Sequence, residues 1–273
     1  MPLYKAQTES SGIIIPTDIR TTANDSDYIL AVNSTTQQLY KITKADLLAG
    51  LSSSGGSSGG GTSYFADVVL LLPFNTNTVD IKGNIITTSG APTIDTSIFK
   101  YGGGSLHLDG SSYVSVANAS PLALGSSDFT IECWVYPEFS GSVKDIATHR
   151  TNYATDQAWS INTYSPSGLG NLGFYANNSN AISLTTSYAP TQNVWTHIAV
   201  VRSGNTFTMY ANGNSIGSTS SSSAIQSTSA DIHIGNAPDQ GSENWAGNID
   251  DFGITKFAKY TANFTPPTQL PTS

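Results

Sequence analysis

The residues best equipped for chemistry lie in two loop-like stretches, HRTNYATDQAW (149–159) and NAPDQGSENWAG (236–247). The first holds Asn152, Tyr153, Asp156, Gln157 and Trp159; the second holds Asn236, Asp239, Gln240, Glu243, Asn244 and Trp245. An aromatic ring can lie under the apolar face of a pyranose while amides and carboxylates grip its hydroxyls, so either mixture suits a sugar. A plainer reading stands beside it: Trp159 and Trp245 each open a strand and cap the core. Connecting loops on a rigid scaffold are where binding residues concentrate, which keeps the first reading open.

Other chemistries find less support. Glycoside cleavage needs two carboxyl groups facing one cleft. Glu132 has no carboxylate two residues to either side, and Asp250 and Asp251 are adjacent, so in a regular strand they face opposite sides. No catalytic activity is expected. The four histidines, His107, His149, His197 and His233, show no metal-ligand spacing, and buried structural roles suit them best. Cys133, between Ile131 and Val135 on its own face of the strand, reads as a small core hydrophobe with no basic neighbour to activate it.

Composition narrows the class. Charged residues make up 11% of 273 and the formal net charge is −8, with no cluster of Lys and Arg, so a nucleic-acid partner is not expected. One cysteine rules out an intrachain disulfide and fits folding in a reducing cytoplasm. The first residues, MPLYKAQTESSG, have neither the basic start nor the apolar centre of a secretory signal. Val68–Phe74, VVLLLPF, has the length of a strand rather than a membrane span, and no membrane partner is expected.

The elements that must position these loops are strands. FTIECWVYP (129–137) alternates Phe129, Ile131, Cys133 and Val135 with Thr130, Glu132, Trp134 and Tyr136. Large side chains on both faces mark it as central. SLHLDGSSYVSV (105–116) turns at Asp109-Gly110. The run Trp195–Ser218 reads as three strands joined by a Ser-Gly-Asn turn and by Asn212-Gly213, whose residues favour the positive φ of a tight hairpin. DIHIGN (231–236) and GNIDDFGIT (247–255) complete a series of a dozen or more short strands without a long helix. The expected fold is all-β, a two-sheet antiparallel jelly-roll sandwich over residues 62–273.

The first 51 residues differ. YILAVN (28–33) and QLYKIT (38–43) suit a hairpin, and Thr43 can cap a helical turn over Lys44–Ala49 that stops at Gly50. So small a unit cannot bury a core by itself and is expected to fold against partner chains. Residues 52–61, SSSGGSSGGG, form a linker with a root-mean-square span of roughly 17 Å and a stretched reach of roughly 35 Å.

The stretches SLHLDGSSYVSV, DFTIECWVYP, NVWTHIAVVRSGNTFTMYANGNSIG, DIHIGN and WAGNIDDFGITKFAKYTANFTPP, in that order and spacing, resemble the laminin-G-like jelly roll of the concanavalin A-like lectin/glucanase superfamily. The KFAKYTANFTPP tail and ADVVLLLPF (66–74) are most similar to such domains in bacteriophage structural proteins. The N-terminal DYILAVNSTTQQLYKITKADLLAGL resembles attachment segments of phage tail and fibre proteins. The resemblance implies a non-enzymatic virion structural protein on the particle surface, as capsid decoration or tail fibre, assembled in the host cytoplasm. Its implied partners are other virion proteins through residues 1–51, further copies in a trimer, and a host surface glycan. Free carbohydrate-binding lectin modules and glycoside-active enzymes are its alternatives. The Glu-X-Asp-X-X-Glu run of enzymes with this fold is absent, whereas His197 beside the strand's Trp matches a family position. Relatives that bind calcium make Asp109, Asp239 and Asp250 candidate ligands; turn and strand-end hydrogen bonds explain these residues equally well. No other cofactor is implied.

Overall fold

The computed structural model describes residues 28–32, 39–43, 64–165 and 168–268. The chain divides into two units, Met1–Ser58 and Gly59–Ser273. In the first, β1 (Tyr28–Val32) and β2 (Leu39–Thr43) pair antiparallel, with Tyr28 opposite Thr43 and Val32 opposite Leu39. This is the expected hairpin. Its connecting turn, the helical turn over Lys44–Ala49 and the 52–61 linker lie outside the described residues.

The second unit opens with β3 (Val68–Leu72), β4 (Ile86–Ser89), β5 (Thr93–Asp95), β6 (Ser105–Asp109) and β7 (Tyr113–Val116). Then come β8 (Phe129–Pro137), β9 (Asp145–Asn152), β10 (Asp156–Ser165), β11 (Gly168–Ala176) and β12 (Ile182–Thr185). The series ends with β13 (Thr196–Ser203), β14 (Thr206–Ala211), β15 (Asn214–Ser220), β16 (Ile232–Ile234) and β17 (Ala246–Thr255). One sheet of seven strands runs β12-β11-β10-β9-β16-β7-β4; the other, of eight, runs β15-β14-β13-β8-β17-β6-β5, with β3 also on β17. Strand β17 pairs β8 along one side; on the other, its first half pairs β6 and its second half β3. The fold is the expected all-β jelly-roll sandwich.

Local chemistry explains the corners. Asn212 and Gly213 both take positive φ, 49° and 78°, which lets β14 reverse directly into β15. The turn expectation for Asp109-Gly110 holds as well, with Gly110 at φ 83°. Alternation fails at one place. Asp251 has φ 47°, and the register against β8 shifts between Asp250 and Gly253, so β17 bulges there. The opposite-face expectation for Asp250 and Asp251 therefore does not apply.

Between the sheets, Phe129, Ile131, Cys133 and Val135 of β8 pack with Trp159, Ile161 and Phe174 of the facing sheet and with Phe207 and Met209 of β14. The other face of β8 is buried too, because the segment after β17 crosses it as a strap. Thr130 Oγ1 donates to Phe257 O (2.9 Å) and accepts from Lys259 N (2.9 Å), while Phe264 N donates to Gly213 O (2.9 Å). Ala258, Tyr260 and Phe264 then pack on Ala199, Val201 and Tyr210. That cover, together with β13 and β17 on its flanks, makes β8 the central strand its two large-residue faces predicted.

Beneath the strap lies a buried ionic cluster. Glu132 accepts from Lys259 Nζ at Oε1 and from Tyr260 Oη at Oε2 (2.8 Å), and His197 Nε2 stands 3.4 Å from the same Oε2. Burial drives the Glu132 carboxyl upward, but the charge of Lys259 and the contact with His197 prevail and bring it from the usual 4.5 to about 2. The same carboxylate and burial push the Tyr260 hydroxyl well above the ordinary tyrosine range.

Candidate functional site

The two loops singled out in the sequence meet, although 86 to 89 residues separate their contacting members. The β9–β10 turn is an Asx turn: Asn152 Oδ1 accepts from Ala154 N (2.9 Å) and Thr155 Oγ1 (3.3 Å). Asp156 is engaged within the same corner, accepting from Thr151 Oγ1 (2.8 Å). From the β16–β17 loop, Asp239 reaches across with both oxygens. Oδ1 accepts from Arg150 Nε (2.9 Å) and Oδ2 from Tyr153 N (2.8 Å). Asn236 Nδ2 donates to Asn244 Oδ1 (2.7 Å), and Glu243 O accepts from Asp145 N (2.7 Å), which docks this loop onto the start of β9.

A cleft of about 290 Å³ opens here on the outer face of the seven-stranded sheet. Tyr153, Tyr164 and Tyr175 supply its aromatic wall, Gln240 and Glu243 its loop edge, and Arg150, Ser160 and Asn162 its polar lining. Tyr153 and Tyr164 are 44% and 41% exposed, enough to offer a ring face to a ligand. Tyr175 is anchored, donating from Oη to Tyr164 O (2.9 Å), and burial pushes its hydroxyl up to about 12. Ser160 Oγ is fully buried and has no hydrogen-bond partner among the described residues.

The floor is charged but internally matched. Arg150 gives Nε to Asp239, Nη1 to Gln157 Oε1 (3.3 Å) and places Nη2 3.8 Å from Asp145 Oδ1. Gln157 in turn donates to Asn177 O (2.9 Å) and Asn180 Oδ1 (2.8 Å). Asp145 is buried, with Oδ2 unpartnered among the described residues. Burial raises its carboxyl; Arg150 opposes this, Glu243 and Asp239 add to it, and the group comes to about 7.

Of the eleven residues singled out in the two loops, Tyr153, Gln240 and Glu243 line the cleft. Asp239 braces it from below, and Asn152, Asp156 and Asn236 hold the loop conformations. For Trp159 and Trp245 the core-capping reading holds and the sugar-plate one is overturned: both are fully buried, Trp159 near His149 (6.0 Å between ring centroids) and Trp245 edge-on to Phe139 (4.9 Å). Each ring faces the space between the sheets, where packing claims its whole surface. The sequence reading missed Arg150, Ser160, Asn162, Tyr164, Tyr175 and Asn180. A signal was available in β10, where Ser160, Asn162 and Tyr164 alternate with the core residues Trp159 and Ile161.

The calcium candidates do not converge. Asp109 accepts from the backbone and hydroxyl groups of Ser111 and Ser112 in its own turn, which holds its carboxyl well below the usual range. Asp250 accepts from Lys100 N (2.9 Å), Tyr101 N (3.1 Å) and Asp251 N (2.9 Å), while burial raises it to about 6. Asp239 is committed to Arg150 and Tyr153. Among the described residues, no three His, Cys, Asp or Glu side chains cluster as ligands for a metal ion. His149, whose Nε2 lies 3.0 Å from Ala230 O, is held neutral by burial, its pKa lowered to about 4.

Two antiparallel sheets packed face to face, with a polar, aromatic-walled cleft on one outer face, define a jelly-roll sandwich of the lectin type. The chain belongs to the concanavalin A-like lectin/glucanases superfamily, whose laminin-G-type family model matches residues 108–260, more than half of its length. Among solved structures, it is similar to the binding domain of Paraclostridial Mosquitocidal Protein 1 (TM-score 0.58, 20% identity, 71% of this chain and 50% of that one). It is also similar to domain 4 of AbnA, an extracellular arabinanase from Geobacillus stearothermophilus, in complex with arabinotriose (TM-score 0.55, 17% identity, 70% and 93%). A third is the ligand binding domain of botulinum neurotoxin serotype D in complex with N-acetylneuraminic acid (TM-score 0.56, 15% identity, 72% and 49%). The chain thus spans about half the length of the two toxin domains and nearly all of the arabinanase domain. At these identities the likeness concerns the fold. No curated protein sequence matches.

Proposed function

We propose that the sandwich is a non-enzymatic glycan-binding domain displayed on the surface of a phage particle, as capsid decoration or tail fibre, with residues 1–51 as the virion attachment segment and 52–61 as the linker. The cleft carries the first half of this proposal: the exposed rings of Tyr153 and Tyr164 beside Gln240 and Glu243 form an arrangement for stacking and gripping a sugar. Similar folds solved with arabinotriose and with N-acetylneuraminic acid support it. So does the lining's carboxylate content. Among the described residues Glu243 is the one carboxylate lining the cleft, and the nearby Asp239 has both oxygens hydrogen-bonded, whereas glycoside hydrolysis needs a pair.

The virion half rests on the resemblance of the N-terminal segment, the ADVVLLLPF stretch and the aromatic tail to phage structural proteins. Glycan binding is tested on an array with the full chain. Tyr153→Ala and Tyr164→Ala should each abolish or greatly weaken signal while the melting temperature holds, and silence across bacterial surface sugars overturns the binding claim. Attachment is tested by deleting residues 1–51, which should leave particles without the protein; normal incorporation would leave a free lectin module as the better account. Sedimentation of the full chain tests the trimer.

A further inference from the structure

We infer that the cleft selects glycans without carboxylates, accepting neutral chains and amino sugars and rejecting sialylated or uronate-bearing ones. This deepens the glycan-binding proposal and rests on it.

A binding site for an acidic sugar needs a free cation or a cluster of donors aimed at the carboxylate. Among the described residues Arg150 is the one cation lining the cleft, and its charge is already balanced by Asp239 and Asp145. Asp239 takes Nε at 2.9 Å, Gln157 takes Nη1 at 3.3 Å, and Asp145 faces Nη2 at 3.8 Å. The side chain is buried within this ring of partners, so it cannot swing toward a ligand without stranding Asp239. Lys144, close by on the chain, donates to Ser242 O (3.0 Å) and is not part of the lining. What remains is acidic: Glu243 at the edge and Asp239 beneath face a single guanidinium, with Asp145 partly protonated by its burial.

A ligand carboxylate entering here meets like charge with no counter-ion, whereas a hydroxyl meets acceptors. Glu243, Asn162 and Gln240 offer acceptors to sugar O–H groups. An ammonium on an amino sugar is favoured by the same field. Even with water-like screening, one like-charge contact at about 4 Å corresponds to roughly five- to tenfold in affinity.

The test uses the full chain and matched probes: neutral lactosamine and chitosan oligomers against sialyl-lactosamine and alternating uronate chains of equal length. The neutral or amino members should bind about tenfold tighter or better, and the gap should narrow as salt rises toward 1 M. Glu243→Gln should narrow the gap at low salt, and Tyr164→Ala should weaken every member that binds. Parity or preference for the acidic members overturns this inference while leaving glycan binding intact; an unaltered gap in Glu243→Gln also counts against it. Silence on all probes overturns the glycan-binding proposal itself.

Discussion

Replacing Lys259 by methionine isolates the charge that neutralises buried Glu132 while keeping the apolar stem. In the folded chain the Glu132 carboxyl lies at about 2 rather than 4.5. That lowering corresponds to about 3 kcal/mol, in line with the 3–5 kcal/mol expected when one partner of a buried pair is removed. The folded pKa lies below the unfolded one, so this stability is present above about pH 4.5 and is lost as pH falls toward 2. Urea unfolding of Lys259→Met at pH 7 should therefore show a deficit of about 3 kcal/mol, or a melting temperature lower by roughly 6–12 °C. Below pH 4 the deficit should shrink, because a protonated Glu132 no longer needs the ammonium.

The strap could instead peel away locally, in which case the loss is capped by its docking energy. Hydrogen exchange over residues 256–268 distinguishes the two outcomes, since local release removes protection there alone. Adding Glu132→Gln to Lys259→Met removes the charge and keeps an acceptor for Tyr260 Oη, so it should recover all but about 1 kcal/mol. An unchanged unfolding midpoint together with unchanged strap protection in the single variant would refute the assignment of the cluster as a stabilising lock.

Trp159→Ala should cost about 3–5 kcal/mol and depress the melting temperature, in contrast to Tyr164→Ala, because only the former empties core volume; thermal melts of the two side by side decide this. Asp145 has a folded pKa raised from 3.8 to about 7, so its contribution is fully present below about pH 4 and is lost as pH rises through 7. His149, lowered to about 4, acts in the opposite sense over much of that range. The stability difference between Asp145→Asn and the parent, followed from pH 4 to 8 by urea unfolding, should therefore grow in the variant's favour, and a flat difference would count against a raised carboxyl. Gly213→Ala should loosen the strap, since its φ is +78° and a Cβ there would fall 1.8 Å from Phe264 O; proteolysis after Phe264 reports it.

The strands were legible because their cues are local. The Asn212-Gly213 turn fixes a hairpin whatever surrounds it, and the two large-residue rows of β8 require cover on both sides. The loops were legible as sources of polar groups, and their meeting at Asp239 lends that choice weight. What stayed open was the direction of two rings, Trp159 and Trp245. Trp159 follows register irregularities between Asp156, Gln157 and Trp159, so its face could not be counted from the turn. The strap's purpose was also hidden, because Lys259 and Glu132 stand 127 residues apart and neither advertises the other.

The lock and the cleft occupy opposite outer faces of the sandwich, with the core, about 10 Å thick, between them. They share no side chain, and substitutions so separated combine additively. Tyr153, Gln240 and Glu243 can therefore be randomised in a library while Arg150, Asp145 and Asp239 are held constant, and the frame will tolerate the search. Such a layout lets the cleft's edge drift in sequence while the chassis beneath it stays put.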